Sequence, residues 1–243
     1  MFCFSKKKIL PADFFQGVCD VHCHILPGVD DGFQNAEDSI MALKILEGKG
    51  VRKMKLTPHL MKEYGENTKE TIVPKFEDFK KMANSQCSIE LQLAAEHMLD
   101  SAFLEHFNRG FLTLDKDKRM VLCETSYMMY APDYSSMLYD IMLEGITPVI
   151  AHPERYQYAS NHLYDEWKKK GYLLQLNLLS LVGAYGSSAM EKSHYLLQHK
   201  MYDFVGSDMH RLDNFQKFIP NFKLKTAEID ELHLLFENNS MLF

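Results

Sequence analysis

The sequence contains few cysteines, and none of them has the short spacing of a redox or zinc motif. The five cysteines among its 243 residues are Cys3, Cys19, Cys23, Cys87 and Cys123. An odd number without a C-x-x-C pair argues against a disulfide framework and against a thiolate zinc site. We therefore expect a protein of a reducing compartment and predict a cytoplasmic location.

The chain also lacks an excess of positive charge and a long apolar run. Lysine and arginine number 27 against 33 acidic residues, which gives a net charge of −6. A nucleic-acid partner is not expected, because binding a phosphate backbone needs a basic surface. No segment is apolar over the ~20 residues that cross a bilayer. Charges near the N-terminus follow a very short apolar run, the reverse of a signal peptide, so we expect no stable membrane insertion.

What the sequence does contain is a repeated alternation of short apolar runs and longer amphipathic segments. The candidate strands are residues 18–21, 54–57, 89–94, 120–123, 147–151, 173–176 and 204–205. Apolar residues have helical spacing over 36–47, 69–82, 137–143, 163–170, 190–199 and 227–236. This alternation predicts a parallel sheet, either open or closed into a barrel. No low-complexity stretch or break in composition is found, so residues 1–243 are predicted to form one domain.

Histidines and carboxylates are concentrated where the candidate strands end. The residues in these positions are His22, His24, Asp30, Asp31, His59, Glu96, Glu124, His152, Asp208 and His210. In barrels and in open α/β sheets, sites form from the loops at the carboxyl ends of strands. His97 is ambiguous and is left out of this set. The histidines in helix-like segments are interpreted as solvated, and they are His106, His162, His194, His199 and His233.

Two pairs of these residues have the spacing that suits one metal ion. His22 and His24 are two residues apart on an extended strand, so both imidazoles face the same side. Asp208 and His210 repeat this spacing at the last strand. Imidazole with carboxylate and without thiolate suits Mn, Fe or Zn, and the set is too large for one four-coordinate ion. We therefore predict a multi-metal phosphoesterase, since such clusters orient phosphate and activate water.

Arg155 follows His152 by three residues and offers a bidentate donor for phosphate oxygens. It could instead form an ion pair with Glu154 or with another acid. A cysteine-dependent phosphatase is excluded, because no cysteine is followed by arginine at the C-x5-R spacing of a phosphate loop.

These residues resemble the motifs of the polymerase and histidinol phosphatase (PHP) superfamily. The matching motifs are His22-x-His24, Thr57-Pro58-His59, Glu96, His152-Pro153-Glu154-Arg155 and Ser207-Asp208-Met209-His210. Two longer strings, over 20–32 and 146–155, are similar to the CpsB/CapC-type manganese-dependent protein-tyrosine phosphatases of bacterial capsule and exopolysaccharide systems. The resemblance extends over residues 18–215.

The resemblance implies an α/β fold, a distorted TIM-type (β/α)7 barrel of the PHP type, with three divalent metal ions at its carboxyl end. Manganese is the expected metal, with Fe or Zn as alternatives. The implied ligands are His22, His24, Glu96 and Asp208 for one ion, Asp31, His59 and His210 for a second, and Glu96, Glu124 and His152 for a third. The implied catalytic residues are Arg155, which binds phosphate, Asp208 and His210.

The implied reaction is direct hydrolysis of phosphotyrosine in a protein by a metal-held hydroxide. The implied partner is a capsule-type tyrosine kinase. A second arginine often follows the last motif in the family, whereas Asn214 and Phe215 occupy that region here and Arg211 is the nearest candidate.

Two other functions stay open, because loops rather than metal ligands select the substrate. One is a small-molecule phosphatase that acts on histidinol phosphate or a nucleotide, and the other is a phosphopeptide-binding module with an inactive site. Loop tyrosines either line a peptide groove or only pack, and they are Tyr64, Tyr127, Tyr130 and Tyr134.

Overall fold

The computed structural model describes residues 7–117 and 119–243, and Cys3 lies outside the described residues. The strands are β1 (Lys8–Ile9), β2 (Cys19–Cys23), β3 (Lys53–Leu56), β4 (His59–Leu60), β5 (Glu90–Leu93), β6 (Glu96–Met98), β7 (Met120–Glu124), β8 (Thr147–Ala151), β9 (Leu173–Asn177), β10 (Phe204–Gly206) and β11 (Lys223–Leu224). The α-helices are α1 (Ala36–Gly48), α2 (Lys69–Asn84), α3 (Phe103–Arg109), α4 (Tyr134–Leu143), α5 (Asn161–Lys169), α6 (Ser187–Gln198), α7 (Leu212–Phe218) and α8 (Thr226–Ser240).

Parallel strands form the wall of the barrel. Two of the strand paths are interrupted by two irregular residues each, and the pairing register is the same on both sides of these breaks. β2, β3 and β5 pair in one sheet, and β4, β6, β7, β8, β9 and β10 pair in that order in another. β3 and β4 lie two residues apart in the chain, as do β5 and β6. Lys53 pairs with Glu90 and His59 pairs with Glu96, which is the same offset on both sides of the breaks. The two sheets are therefore parts of one continuous wall.

The wall closes where its last strand meets its first. The Asp208 N–H donates to the His22 carbonyl at 2.8 Å, and the His24 N–H donates to the Met209 carbonyl at 3.0 Å. At the other end of this seam the buried Asn239 amide donates to the carbonyls of Cys19 and Val205. The prediction of a distorted (β/α)7 barrel is confirmed.

Apolar side chains fill both sides of the wall. Inside it, Val21, Leu122 and Val149 form a small cluster with Phe204 and Phe243. A much larger cluster lies between the wall and the surrounding helices and includes Trp167, which is 2% exposed. Such packing makes the barrel interior a core rather than a channel, so a ligand has access only at the strand ends.

Helix α1 shows how the local sequence determines an element. Its first turn is capped by Asn35, whose Oδ1 accepts from the Asp38 N–H at 2.9 Å. Ile40, Leu43 and Leu46 are buried on one face, as the spacing predicts.

Helices α3 and α7 were not predicted, because each buries only two residues and so shows no repeated apolar spacing. Within the described ranges, no helix combines the length and the apolar character needed to cross a membrane.

Candidate metal centre

The structure brings all nine predicted metal ligands together at the carboxyl end of the barrel. They form three overlapping groups whose ligand atoms lie within 4.8 Å of one another: His24, Asp31, His59 and His210, then His22, Glu96, His152 and Asp208, then His59, Glu96 and Glu124. Seven come from the end of a strand or from the loop after it, while His59 and Glu96 open β4 and β6, just after β3 and β5 end. The parallel strands therefore account for their convergence.

Four ligand atoms enclose a space of the size that one metal ion fills. The Nε2 atoms of His22 and His24 lie 3.2 Å apart. Each lies 3.2 Å from Glu96 Oε2 and 3.5 Å from Asp208 Oδ1. Ligands of a tetrahedral ion with bonds of about 2.1 Å are separated by about 3.4 Å. These are the four residues that the resemblance assigns to the first ion.

The carboxylate oxygens that face this space have no hydrogen-bond partner. Among the residues that the structure describes, Glu96 Oε2 and Asp208 Oδ1 are buried without one, and so is Glu124 Oε1 nearby. Buried polar atoms without a partner are rare because they are costly. A divalent cation would satisfy them, so the residues present fit the metal that the family implies.

Gln175 and Asp30 fix the orientation of the His22 and His24 imidazoles. His22 Nδ1 lies 2.9 Å from the Gln175 Oε1 acceptor, and His24 Nδ1 lies 2.8 Å from Asp30 Oδ2. A proton on each Nδ1 leaves each Nε2 free to bind a cation. Asp30 also accepts from the N–H groups of Gly32 and His59, so it acts as a support while Asp31 reaches the cluster.

The outer oxygen of Asp208 is held by two donors. Arg155 Nη1 lies 2.6 Å from Asp208 Oδ2, and Asn177 Nδ2 lies 2.7 Å from it. Arg155 therefore pairs with Asp208, whereas Glu154 accepts from the Tyr202 hydroxyl instead. Sequence reasoning found no role for strand β9, but its Gln175 and Asn177 orient ligands. Their position at a strand end was the signal available.

The remaining ligands group around Asp31 and Glu124. Asp31 Oδ1 lies 3.5 Å from His59 Nε2 and 3.3 Å from His210 Nε2, in line with the second predicted set. Near Glu124 the arrangement differs from the third set, because the imidazole at its Oε1 is His59, at 2.9 Å. His152 Nε2 lies 2.8 Å from the other oxygen of Glu96. The third set stays a prediction.

The charges in the cluster favour cations. Burial alone would lower the pKa of His22, but Glu96 and Asp208 outweigh it and raise that pKa to about 9. Burial would raise the pKa of Glu96, but His22 and His59 hold it well below its usual value. The carboxylates are therefore ionised, and a bound cation would replace the protons on the imidazoles.

Two of the predicted ligands have unusual backbone conformations. His152 and Asp208 have φ values of 34° and 49°, in the left-handed region that glycine favours. His152 directly follows β8, and Asp208 lies two residues after the end of β10. Strain of this kind accumulates at functional sites, where the surroundings enforce it.

Two cavities adjoin the cluster and share Asp31, His210 and Arg211. The one beside Arg155 measures about 240 Å³ and is also lined by Leu179, Tyr185, Asp208, Met209, Asn214 and Phe215. The other measures about 480 Å³ and extends toward α1. A small molecule bound in either cavity would lie beside two predicted metal ligands, Asp31 and His210, and beside the cationic side chain of Arg211.

The loop tyrosines divide between the two roles that the sequence allows. Tyr134 is fully buried and only packs. Tyr130 is 37% exposed. The other two lie at the site: the Tyr64 ring stacks on the imidazole of His59, with ring centroids 6.1 Å apart, and the centroid of the Tyr127 ring lies 4.3 Å from the Arg155 guanidinium carbon.

A family model supports the assignment that these residues suggest. The model for "Capsular polysaccharide synthesis, CpsB/CapC" matches residues 18–238. The chain belongs to the CpsB/CapC family. The predicted resemblance is thereby confirmed over more of the chain than the sequence motifs alone had covered.

Named members of the CpsB/CapC family are similar to this chain over most of its length. The tyrosine-protein phosphatase YwqE of Bacillus subtilis is 28% identical over 92% of this chain and 90% of its own length. The tyrosine-protein phosphatase CpsB of Streptococcus agalactiae is 28% identical over 80% and 83%.

A solved structure extends this similarity to the fold. It comes from work on YwqE of Bacillus subtilis and CpsB of Streptococcus pneumoniae, described as unique metal-dependent tyrosine phosphatases. Its TM-score is 0.77 at 24% identity, over 92% of this chain and 93% of the other. The CpsB/CapC chain described here therefore shares the barrel architecture of that structure.

Proposed function

We propose that this protein is a metal-dependent phosphatase that hydrolyses phosphotyrosine in proteins. One observation carries the proposal: Arg155, a phosphate-binding type of side chain, contacts Asp208. Asp208 belongs to the cage, which is the group of four ligand atoms from His22, His24, Glu96 and Asp208 described above. A phosphate held by Arg155 would lie beside the cage and within the cavity that both residues line. The relatives named as tyrosine phosphatases support the substrate class.

We further propose three divalent ions, with manganese as the metal, held by the nine residues of the cluster. Such ions would neutralise the charge on phosphate and supply a nucleophile near neutral pH. The roles of the chain are to bind and orient: Arg155 binds phosphate oxygens, while Gln175 and Asn177 keep their partner ligands aimed at the cage. A phenolate leaving group has a pKa near 10, so it needs little protonation.

Arg211 is the proposed second phosphate contact. It lines both cavities together with Asp31 and His210, and it follows the last ligand directly. Arg155 and Arg211 both line the smaller cavity, so a phosphate bound there would lie close to both cations.

Hydrolysis of a phosphotyrosine peptide by purified protein with added Mn²⁺ tests this function. We expect turnover that chelation abolishes, and a rate that Asp208→Ala lowers more than about 100-fold, since even outer-shell partners of metal ligands contribute 10- to 100-fold. Asp78→Ala is the matched control, because Asp78 is 81% exposed and pairs with Lys81 on α2. Faster turnover of histidinol phosphate than of the peptide would contradict the substrate class, and full activity after chelation would contradict the metal mechanism.

As the physiological substrate we propose a tyrosine kinase of capsule synthesis, the process named in the family description. An autophosphorylated tyrosine kinase of capsule synthesis from the same organism is expected to lose phosphate faster than an unrelated phosphotyrosine protein of equal concentration. Equal rates would remove the support for this partner while leaving the phosphatase activity in place.

A further inference from the structure

Arg155 is flanked by two tyrosine rings. Its guanidinium carbon lies 4.3 Å from the centroid of the Tyr127 ring and 4.3 Å from that of the Tyr185 ring. Both distances are within the range of a cation–π contact. Since Nη1 also bonds Asp208 at 2.6 Å, three neighbours restrict the guanidinium, and its other N–H groups remain available to a ligand.

The two rings are held in different ways. The Tyr127 hydroxyl donates to Glu124 Oε2 at 3.2 Å, and its ring packs on Tyr156 at 6.0 Å. Tyr185 is 37% exposed and lines the cavity beside Arg155. It lies between Gly183 and Gly186, whose φ values of 78° and 92° a side chain would strain. Tyr127 is thus held in place by Glu124 and Tyr156. Tyr185 lies beside the guanidinium at the cavity surface, and the glycine-flanked turn sets its position.

We propose that Tyr127 and Tyr185 are positioning residues that hold the Arg155 guanidinium ready for a phosphate. An arginine side chain has many rotamers, and ordering it upon binding opposes affinity. Two rings that order it beforehand remove part of that cost. This inference rests on the proposed function only in taking Arg155 as a phosphate ligand.

Tyr185 is the residue to test, because Tyr127 also contacts Glu124 and its removal would disturb a predicted metal ligand. The probe is inorganic phosphate, titrated by calorimetry into protein saturated with Mn²⁺. A double-mutant cycle uses the wild type, Tyr185→Leu, Arg155→Ala and the combination. Tyr185→Leu is expected to weaken phosphate binding about tenfold. In the Arg155→Ala background the same change is expected to have no further effect, because Tyr185 acts through Arg155.

Three further measurements distinguish the contribution of the Tyr185 ring from a general disturbance of the site. Tyr185→Phe is expected to bind phosphate like the wild type, since the ring is retained. Tyr139→Leu, which removes a tyrosine 59% exposed on α4, is expected to leave binding unchanged. Metal content, measured on each variant, is expected to be the same for Tyr185→Leu as for the wild type.

Several results would overturn the inference. They are equal weakening by Tyr185→Leu in both backgrounds, loss of metal in Tyr185→Leu alone, or phosphate binding that Arg155→Ala leaves intact. Failure of the proposed function would look different. The cycle would hold for phosphate binding, yet phosphotyrosine would not be hydrolysed.

Discussion

At the scale of single residues, His97 shows how burial alone changes the chemistry of an imidazole. It neighbours Glu96 in β6, but alternation along the strand points it away from the cluster, where it packs against Phe111 at 4.9 Å. Burial, together with the nearby His106, lowers its pKa to about 3. His97 is therefore a neutral packing residue at neutral pH, in agreement with its exclusion from the predicted ligands.

His97 should make the fold sensitive to acid. The unfolded chain takes up a proton on this residue below its ordinary pKa of 6.5, whereas the folded chain does so only near pH 3. Stability therefore falls as the pH falls through this window, by up to about 1.4 kcal/mol per pH unit. His97→Leu is expected to remove that part of the slope in urea unfolding between pH 7 and 4. His162→Leu, at a side chain 81% exposed, is the control, and equal slopes for wild type and His97→Leu would contradict this assignment.

The sequence indicated the residues of the cluster better than it indicated the side chains that orient them. Strand-end position indicated the nine residues that the structure gathers, together with Asp30, because parallel strands bring their carboxyl ends to one edge. The choice of Asp31 over Asp30 came from the family resemblance. Gln175 and Asn177 were not assigned roles, since an amide becomes a support only through a partner distant in sequence. His106 was wrongly expected to be solvated, and it is 6% exposed. Helical periodicity alone did not predict that its ring would be buried near His97, at 6.5 Å.

At the scale of elements, the end of β10 must pass close to β2 for His22 to reach the cage. Gly206 makes this approach possible. A Cβ added there would lie 2.5 Å from His22 Cβ and 2.8 Å from Gln175 Nε2. Real Cβ atoms do not approach other atoms so closely, and both atoms belong to a ligand or its support.

Gly206→Ala is therefore expected to displace His22 and to weaken Mn²⁺ binding at least about tenfold, the lower end of the effect of disturbing a ligand's support. Calorimetric titration of the metal-free protein measures this change. Gly48→Ala is the matched control, because a Cβ at Gly48 meets nothing within 4 Å. Wild-type metal affinity in Gly206→Ala would show that the strand can shift without moving His22.

Element boundaries set the limit of what periodicity could predict. The seven candidate strands match the barrel wall, since each is a short apolar run between turn residues. The breaks at 57–58 and 94–95 were not predicted, because they depend on how β3 and β5 end against each other. Sequence periodicity also did not decide between an open sheet and a closed barrel. The choice between them depends on whether the last strand, β10, forms hydrogen bonds with the first strand, β2.

At the scale of the whole molecule, one buried amide joins the first and last strands of the barrel, in addition to the backbone hydrogen bonds at the other end of the seam. Asn239 Nδ2 donates to Cys19 O at 2.7 Å and to Val205 O at 2.6 Å, while its Oδ1 accepts from the Val205 N–H at 3.1 Å. β2 and β10 are therefore joined through a side chain of α8 at the end of the seam away from the cluster.

Asn239→Ala should destabilise the protein by about 3 kcal/mol, because it leaves buried backbone groups without partners that cost about 1–3 kcal/mol each. The free energy of unfolding in urea measures the change. Asn238→Ala, which removes one hydrogen bond to the Asp203 carbonyl, is the neighbouring control and is expected to cost about 1 kcal/mol. A cost for Asn239→Ala no greater than that of its neighbour would show that the seam does not need the amide.

The seam also has a consequence for the order of events during synthesis. The cage needs His22 and His24 from the first barrel strand and Asp208 from the turn after the last one, joined across the seam by the bond from the Asp208 N–H to the His22 carbonyl. A nascent chain exposes the two histidines long before the ribosome has made Asp208. The cage can therefore form only after the last barrel strand and the turn behind it have been made. A cation that needs all four atoms would bind after the barrel strands are translated and would not guide their pairing.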